Sequence, residues 1–101
     1  MGSKPRNRPK NLARKLLQIR KALGLSQSQM LRRLGAEHFF SVARISDYET
    51  NIREPSLWVL LAYAYVARVH LEILIDDEAT LPKNLPGNFN FARYKQKLGE
   101  T

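Results

Sequence analysis

Apolar side chains recur at helical spacing along most of this 101-residue chain, in short runs closed by glycine, asparagine or proline. Leu12, Leu16, Ile19 and Leu23 fall at i, i+4, i+7 and i+11, one face of a helix of about three turns. Asn11 suits its N-cap and Gly24 its end, and Arg14, Lys15 and Lys21 are expected in solvent. Ser26 with Gln29 three residues on is a capping-box pattern, so a second helix is expected to start there, bury Met30, Leu31 and Leu34, and close at Gly35. After residues 36–40 a third short helix is expected, with Ser41 as N-cap and Ile45 and Tyr48 inward. Residues 50–55 read as a loop, where Asn51 tolerates a left-handed conformation and Pro55 fits the start of the next helix. Leu57, Leu60, Leu61 and Ala64 give a fourth helix its core face, and a fifth is expected over about residues 70–75 with Leu71 and Leu74 inward.

The two ends read differently. Residues 1–10, with Pro5 and Pro9 among four basic residues, cannot hold a helix and have little to bury, so a flexible basic arm is expected. After Asp76, Asp77 and Glu78, the breakers Pro82, Pro86 and Gly87 leave residues 79–91 irregular, with scattered Leu81, Leu85, Phe89 and Phe91. A last basic helical turn is expected over residues 92–99. The reading is all-α: an arm at 1–10, a five-helix domain at 11–78, and an irregular C-terminal tail at 79–101.

Composition narrows the chemistry. The longest apolar run, residues 57–67, stops short of the roughly 20 needed to cross a bilayer and includes two tyrosines. With no cysteine and no secretory-signal pattern, a cytoplasmic protein without disulfides or cysteine-ligated zinc is expected. Charge is distributed unevenly: residues 1–33 hold ten Lys and Arg and no acid, while the remainder carries seven bases and nine acids. Such an end suits a polyanion, since cations that displace phosphate counterions supply most sequence-independent affinity. A solvated basic tail is the alternative. No catalytic, cofactor or metal constellation stands out. His38 and His70 are 32 residues apart, the acids at 76–78 are contiguous as in a solvated loop, and no glycine-rich phosphate loop is present.

Taken in order, several residues resemble the helix-turn-helix of phage repressors and Cro, the XRE-type regulators, from about Leu12 to Leu74. The family's first-helix arginine matches Arg20, its Ser-Gln pair Ser26-Gln27, and its turn glycine Gly35. The isoleucine and glutamate of its recognition helix match Ile45 and Glu49, and its Pro-Ser-Leu matches Pro55-Ser56-Leu57, followed by Ala64, Val69 and Leu74. The resemblance implies a lambda-repressor-like fold and double-stranded DNA binding by a prokaryotic or phage transcription regulator, a repressor acting as a homodimer near the nucleoid. It further implies an Arg20–Glu49 ion pair beneath the motif and a phosphate contact from Gln27. Arg53, after the recognition helix, is a second phosphate candidate, and Arg6, Arg8 and Lys10 of the arm are others.

There are departures. The connection between Gly35 and Ser41 is longer than the family's tight turn and includes Phe39 and Phe40, so either the recognition helix is extended at its start or a bulge plugs the core with a phenylalanine. The bulge is preferred. With Ser41 as N-cap, the candidates for base readout are Ser41, Val42, Ala43, Arg44, Ser46 and Asp47. Val42 and Ala43 suit thymine methyl groups, Arg44 alone can fork onto a guanine, and Asp47 suits a cytosine amino group or a neighbouring arginine. On the fourth helix, Trp58, Val59, Ala62 and Tyr65 form an outer apolar stripe that a second copy, the tail or a protein partner is expected to cover. Two other functions compete: an antitoxin-like module that holds a protein partner through the stripe, and a general nucleic-acid binder driven by the arm.

Overall fold

The structure, a computed structural model, describes residues 8–92. Arg6 with the rest of the arm before Arg8, and the turn expected at 92–99 beyond Ala92, lie outside the described residues. Five helices follow in order: α1 Leu12–Ala22, α2 Gln27–Arg33, α3 Ala43–Glu49, α4 Leu57–Ala67 and α5 Leu71–Ile75. No strand occurs among the described residues. α1 packs against α3 and α5, α2 against α3, and α4 against α5. Their shared core holds Leu12, Leu16 and Ile19 of α1, Met30 and Leu31 of α2, Ile45 and Tyr48 of α3, and Tyr63 and Ala64 of α4. Burying each large aliphatic side chain contributes about 1.5–3 kcal/mol, so helices of seven residues that would fray alone are held by packing.

Local signals set the helix ends. Ser26 Oγ accepts the Gln29 N–H at 3.1 Å while Gln29 Oε1 accepts the Ser26 N–H at 2.8 Å, so both sides of the capping box are made. α2 is closed by Gly35 at φ +72°, which turns the chain so that the Ala36 N–H reaches Leu31 O at 3.1 Å. Asn51, at φ +62°, closes α3 the same way, with the Ile52 N–H on Asp47 O at 2.9 Å.

Four expectations are corrected. Asn11 stands at the N-cap of α1 as expected but makes no cap hydrogen bond with its side chain; the Asp77 carboxylate, beyond α5, holds the chain there by accepting the N–H groups of Lys10 at 2.9 Å and Asn11 at 3.1 Å. Lys15 is not in solvent. It is buried, and its ammonium donates to Ile73 O at 2.7 Å and Asp76 O at 2.8 Å, where it satisfies the carbonyl end of α5. Ser41 is not the cap of α3: Val42 already has helical angles, and the first turn is tightened by Arg44 N–H to Ser41 O at 3.1 Å and Ile45 N–H to Val42 O at 3.0 Å. Finally, Ser56, not Pro55, starts α4, its hydroxyl accepting the Val59 N–H at 3.4 Å.

The rotation of α4 also differs from the expected one. Its core face is Val59, Leu60, Tyr63, Ala64 and Ala67, while Leu57 is 71% and Leu61 40% exposed. Val59, expected on the outer stripe, is 1% exposed. The cause is the sequence LWVLLAYAYVA, apolar on every side, so periodicity carries no phase and neighbouring elements choose the buried face.

The C-terminal segment runs back across the end of α4. Gly87 N–H donates to Ala67 O at 2.7 Å and Phe89 N–H to Arg68 O at 3.3 Å. A Cβ on Gly87 would lie 2.3 Å from Arg68 O, so only glycine permits this approach. Phe91 meets Tyr65 with ring centroids 4.1 Å apart, and Phe89 meets His70 at 3.8 Å.

Candidate nucleic-acid interface

The end of α3 is fastened to the two helices before it through one carboxylate. Arg20 Nε donates to Glu49 Oε2 at 2.6 Å and Arg20 Nη2 to Glu49 Oε1 at 3.0 Å, a two-pronged pair from α1 to α3. Gln27, at the start of α2, donates its amide to Glu49 Oε1 at 3.1 Å, and Arg20 Nη1 donates to Leu25 O at 3.0 Å. A charge pair this far from water is tolerable because nearly every polar atom in it is matched. Hydrogen bonding to Glu49 pushes the Arg20 guanidinium further above its ordinary range. Behind the pair lies the Tyr63 hydroxyl, without a hydrogen-bond partner among the described residues; burial, then the negative charge of Glu49, pushes its pKa well up and keeps it protonated.

With its end anchored, α3 turns its leading residues outward. Ser41, Val42 and Ala43 are exposed, and Arg44, Ser46 and Asp47 are half-buried. Asp47 Oδ2 lies 3.9 Å from Arg53 Nε, and Asp47 O accepts the Arg53 N–H at 3.2 Å, so the loop after α3 folds against the helix. Arg8 Nη1 donates to Asn51 O at 2.9 Å, which brings this residue of the N-terminal basic arm to the carbonyl end of α3. Lys10 is exposed beside Asp77 at the start of α1.

Residues 36–40 form a turn rather than a helical extension, with Phe39 N–H and Phe40 N–H both on Ala36 O, at 2.9 and 3.0 Å. Phe40 is half-buried against the core, and Phe39 is exposed. Both meet Trp58 of α4: Phe40 is stacked at 5.7 Å with planes 20° apart, and Phe39 stands edge-on at 5.8 Å. The Arg44 guanidinium lies over Phe40, 4.6 Å from its ring centre. The expected outer stripe of α4 is thus divided. Trp58 is packed by the phenylalanines of the turn and Tyr65 by Phe91, and Ala62 between them is half-buried.

Sequence reasoning missed Phe40 as the partner of both Arg44 and Trp58, and Asp77 and Lys15 as the ties between α1 and α5. No periodic signal links residues 40, 44 and 58, because they meet only once the turn and α4 are packed. Among the described residues no group of His, Asp or Glu is placed to hold a metal, and no helix is long and apolar enough to cross a membrane.

The helix-turn-helix family matches residues 16–74, which run from the middle of α1 to the end of α5 and include the whole Glu49 anchor. No curated protein and no solved structure matches the chain. The family match spans more than half of the chain and agrees with the five helices in order, so this chain belongs to the XRE-type helix-turn-helix family of DNA-binding transcription regulators.

Proposed function

We propose that this chain recognises a preferred site on double-stranded DNA with α3 in the major groove, and that it acts there as a repressor. The observation that carries the reading is the mounting of α3: its last residue is tied to α1 and α2 through Glu49, while Ser41, Val42 and Ala43 at its leading end are exposed. A short helix held at one end and free at the other suits entry into a groove about 12 Å wide. In this reading Val42 and Ala43 pack on thymine methyl groups, Ser46 reaches a base edge and Arg44 forks onto a guanine. Asp47, beside Arg53, serves as that arginine's partner. Arg8 and Arg53 contact phosphates, with Gln27, Lys10 and Arg6 as further contacts. The acid-free first third supplies the sequence-independent share of affinity.

The same reading includes a symmetric dimer on two half-sites about 34 Å apart. Leu57, Leu61 and Phe39 support it, being large apolar side chains left in solvent near Trp58. Selection of bound duplexes from a random pool at stated salt, with stoichiometry measured on the winner, tests both parts. The expected outcome is an enriched two-fold symmetric site that holds two chains. Equal affinity for random duplex, selected duplex and structured RNA would reject site-specific regulation in favour of general nucleic-acid binding, and one chain per duplex would remove the dimer alone.

A further inference from the structure

We propose that Phe40 and Trp58 form an aromatic platform that aims Arg44 at a guanine, so that base readout at the start of α3 depends on two side chains that read no base themselves. The inference rests on the DNA-binding reading above and assigns its specificity. Two contacts share the Phe40 ring: the Arg44 guanidinium carbon lies over it, 4.6 Å from its centre, and Trp58 is stacked nearly parallel to it at 5.7 Å. Trp58 projects from α4 half exposed, and Phe39, itself largely exposed, stands against it at 71°.

Stacking and base recognition use different parts of a guanidinium. Its face is attracted to the negative face of the ring, while its N–H groups point outward in the plane. A guanidinium seated on a ring therefore keeps its fork free for the O6 and N7 of a guanine. Among the described residues no hydrogen bond or ion pair occupies the Arg44 fork. An arginine on a bare helix surface loses much rotamer freedom when it docks, and one already seated on a ring loses less. The ring also shields one face of the cation from water. The longer connection at residues 36–40 is what delivers Phe40 to this place, which gives the departure from a tight turn a purpose in recognition.

The test uses the full chain and the duplex selected above, with each G·C pair replaced in turn by A·T, at constant salt. Wild-type protein is expected to lose about tenfold or more at one guanine position, as for a single bidentate contact. Arg44→Ala should abolish that loss. Phe40→Leu, which keeps apolar volume but removes the ring face, should abolish most of it too, with affinity for random duplex changed by less than about twofold. Phe40→Tyr should restore discrimination, Trp58→Phe should largely preserve it, and the Arg44→Ala, Phe40→Leu double variant should discriminate no worse than Arg44→Ala alone. Thermal unfolding of each variant separates folding defects from lost readout, and Phe40→Tyr keeps the test decisive should Phe40→Leu fold poorly. Phe40→Leu and Phe40→Tyr both matching wild type at every position would overturn the platform, as would Arg44→Ala weakening all duplexes equally. Failure of wild-type protein to prefer any duplex would instead overturn the reading on which the inference rests.

Discussion

Replacing Glu49 by glutamine changes almost nothing in volume and removes one charge, so it isolates what the anchor contributes. Three donors converge on the two carboxylate oxygens: Arg20 Nε, Arg20 Nη2 and Gln27 Nε2. A glutamine offers one acceptor oxygen and turns an N–H2 group towards a donor, so at least one of the three is left facing another donor. The Glu49 side chain is 4% and that of Arg20 16% exposed, so water does little to compensate. Breaking a buried pair typically costs about 3–5 kcal/mol; Arg20 keeps its bond to Leu25 O and some solvent, which places the expected loss near 3 kcal/mol. For a domain of this size that corresponds to a drop in Tm of roughly 15 °C. Chemical and thermal denaturation of wild type, Glu49→Gln, Arg20→Met and the paired Arg20→Met, Glu49→Leu variant would measure it. The paired variant should lie closer to wild type than Glu49→Gln does, because it strands no charge. A loss below about 1 kcal/mol in Glu49→Gln would refute the reasoning, since it would mean that the pair behaves as a solvent-screened surface bridge.

Three further outcomes follow from the ties around α1 and α4. Lys15→Met should cost about 2 kcal/mol in a denaturant titration, since it strands the carbonyls of Ile73 and Asp76; a neutral result would show that water replaces the ammonium there. The backbone N–H groups of Lys10, then Asn11, hold the Asp77 carboxyl below its ordinary range, so its contribution is complete above about pH 5 and is lost as pH falls through about 4 and on through the lower folded pKa. Asp77→Asn should therefore flatten that part of the stability profile measured from pH 6 to 2, and an unchanged slope would count against this tie. Gly87→Ala places a carbon where Arg68 O already lies, so amide exchange at Gly87 and Phe89 should quicken and stability should fall by about 1–3 kcal/mol; unchanged exchange would mean the segment adjusts without lifting.

Among the described residues, the order of helices α1 to α5 and most of their ends were legible from the chain alone. Helix spacing at Leu12, Leu16 and Ile19, the capping box at Ser26 and Gln29, and the left-handed closures at Gly35 and Asn51 are local devices, complete within a few residues. Physics acting over one turn of helix can be read from one turn of sequence. Tertiary structure decided whatever joined distant residues or arbitrated among equals. Spacing alone offered no reason for Lys15 to leave solvent for carbonyls 58 and 61 residues away, or for Asp77 to take the backbone N–H of Asn11 at the start of α1. The sequence of α4, apolar all round, left open which side would be buried, and packing turned Val59 inward and Leu57 and Leu61 out. The same packing brings Phe40 to both Arg44 and Trp58, because attraction between rings and a cation depends on separation in space, to which separation along the chain is no guide.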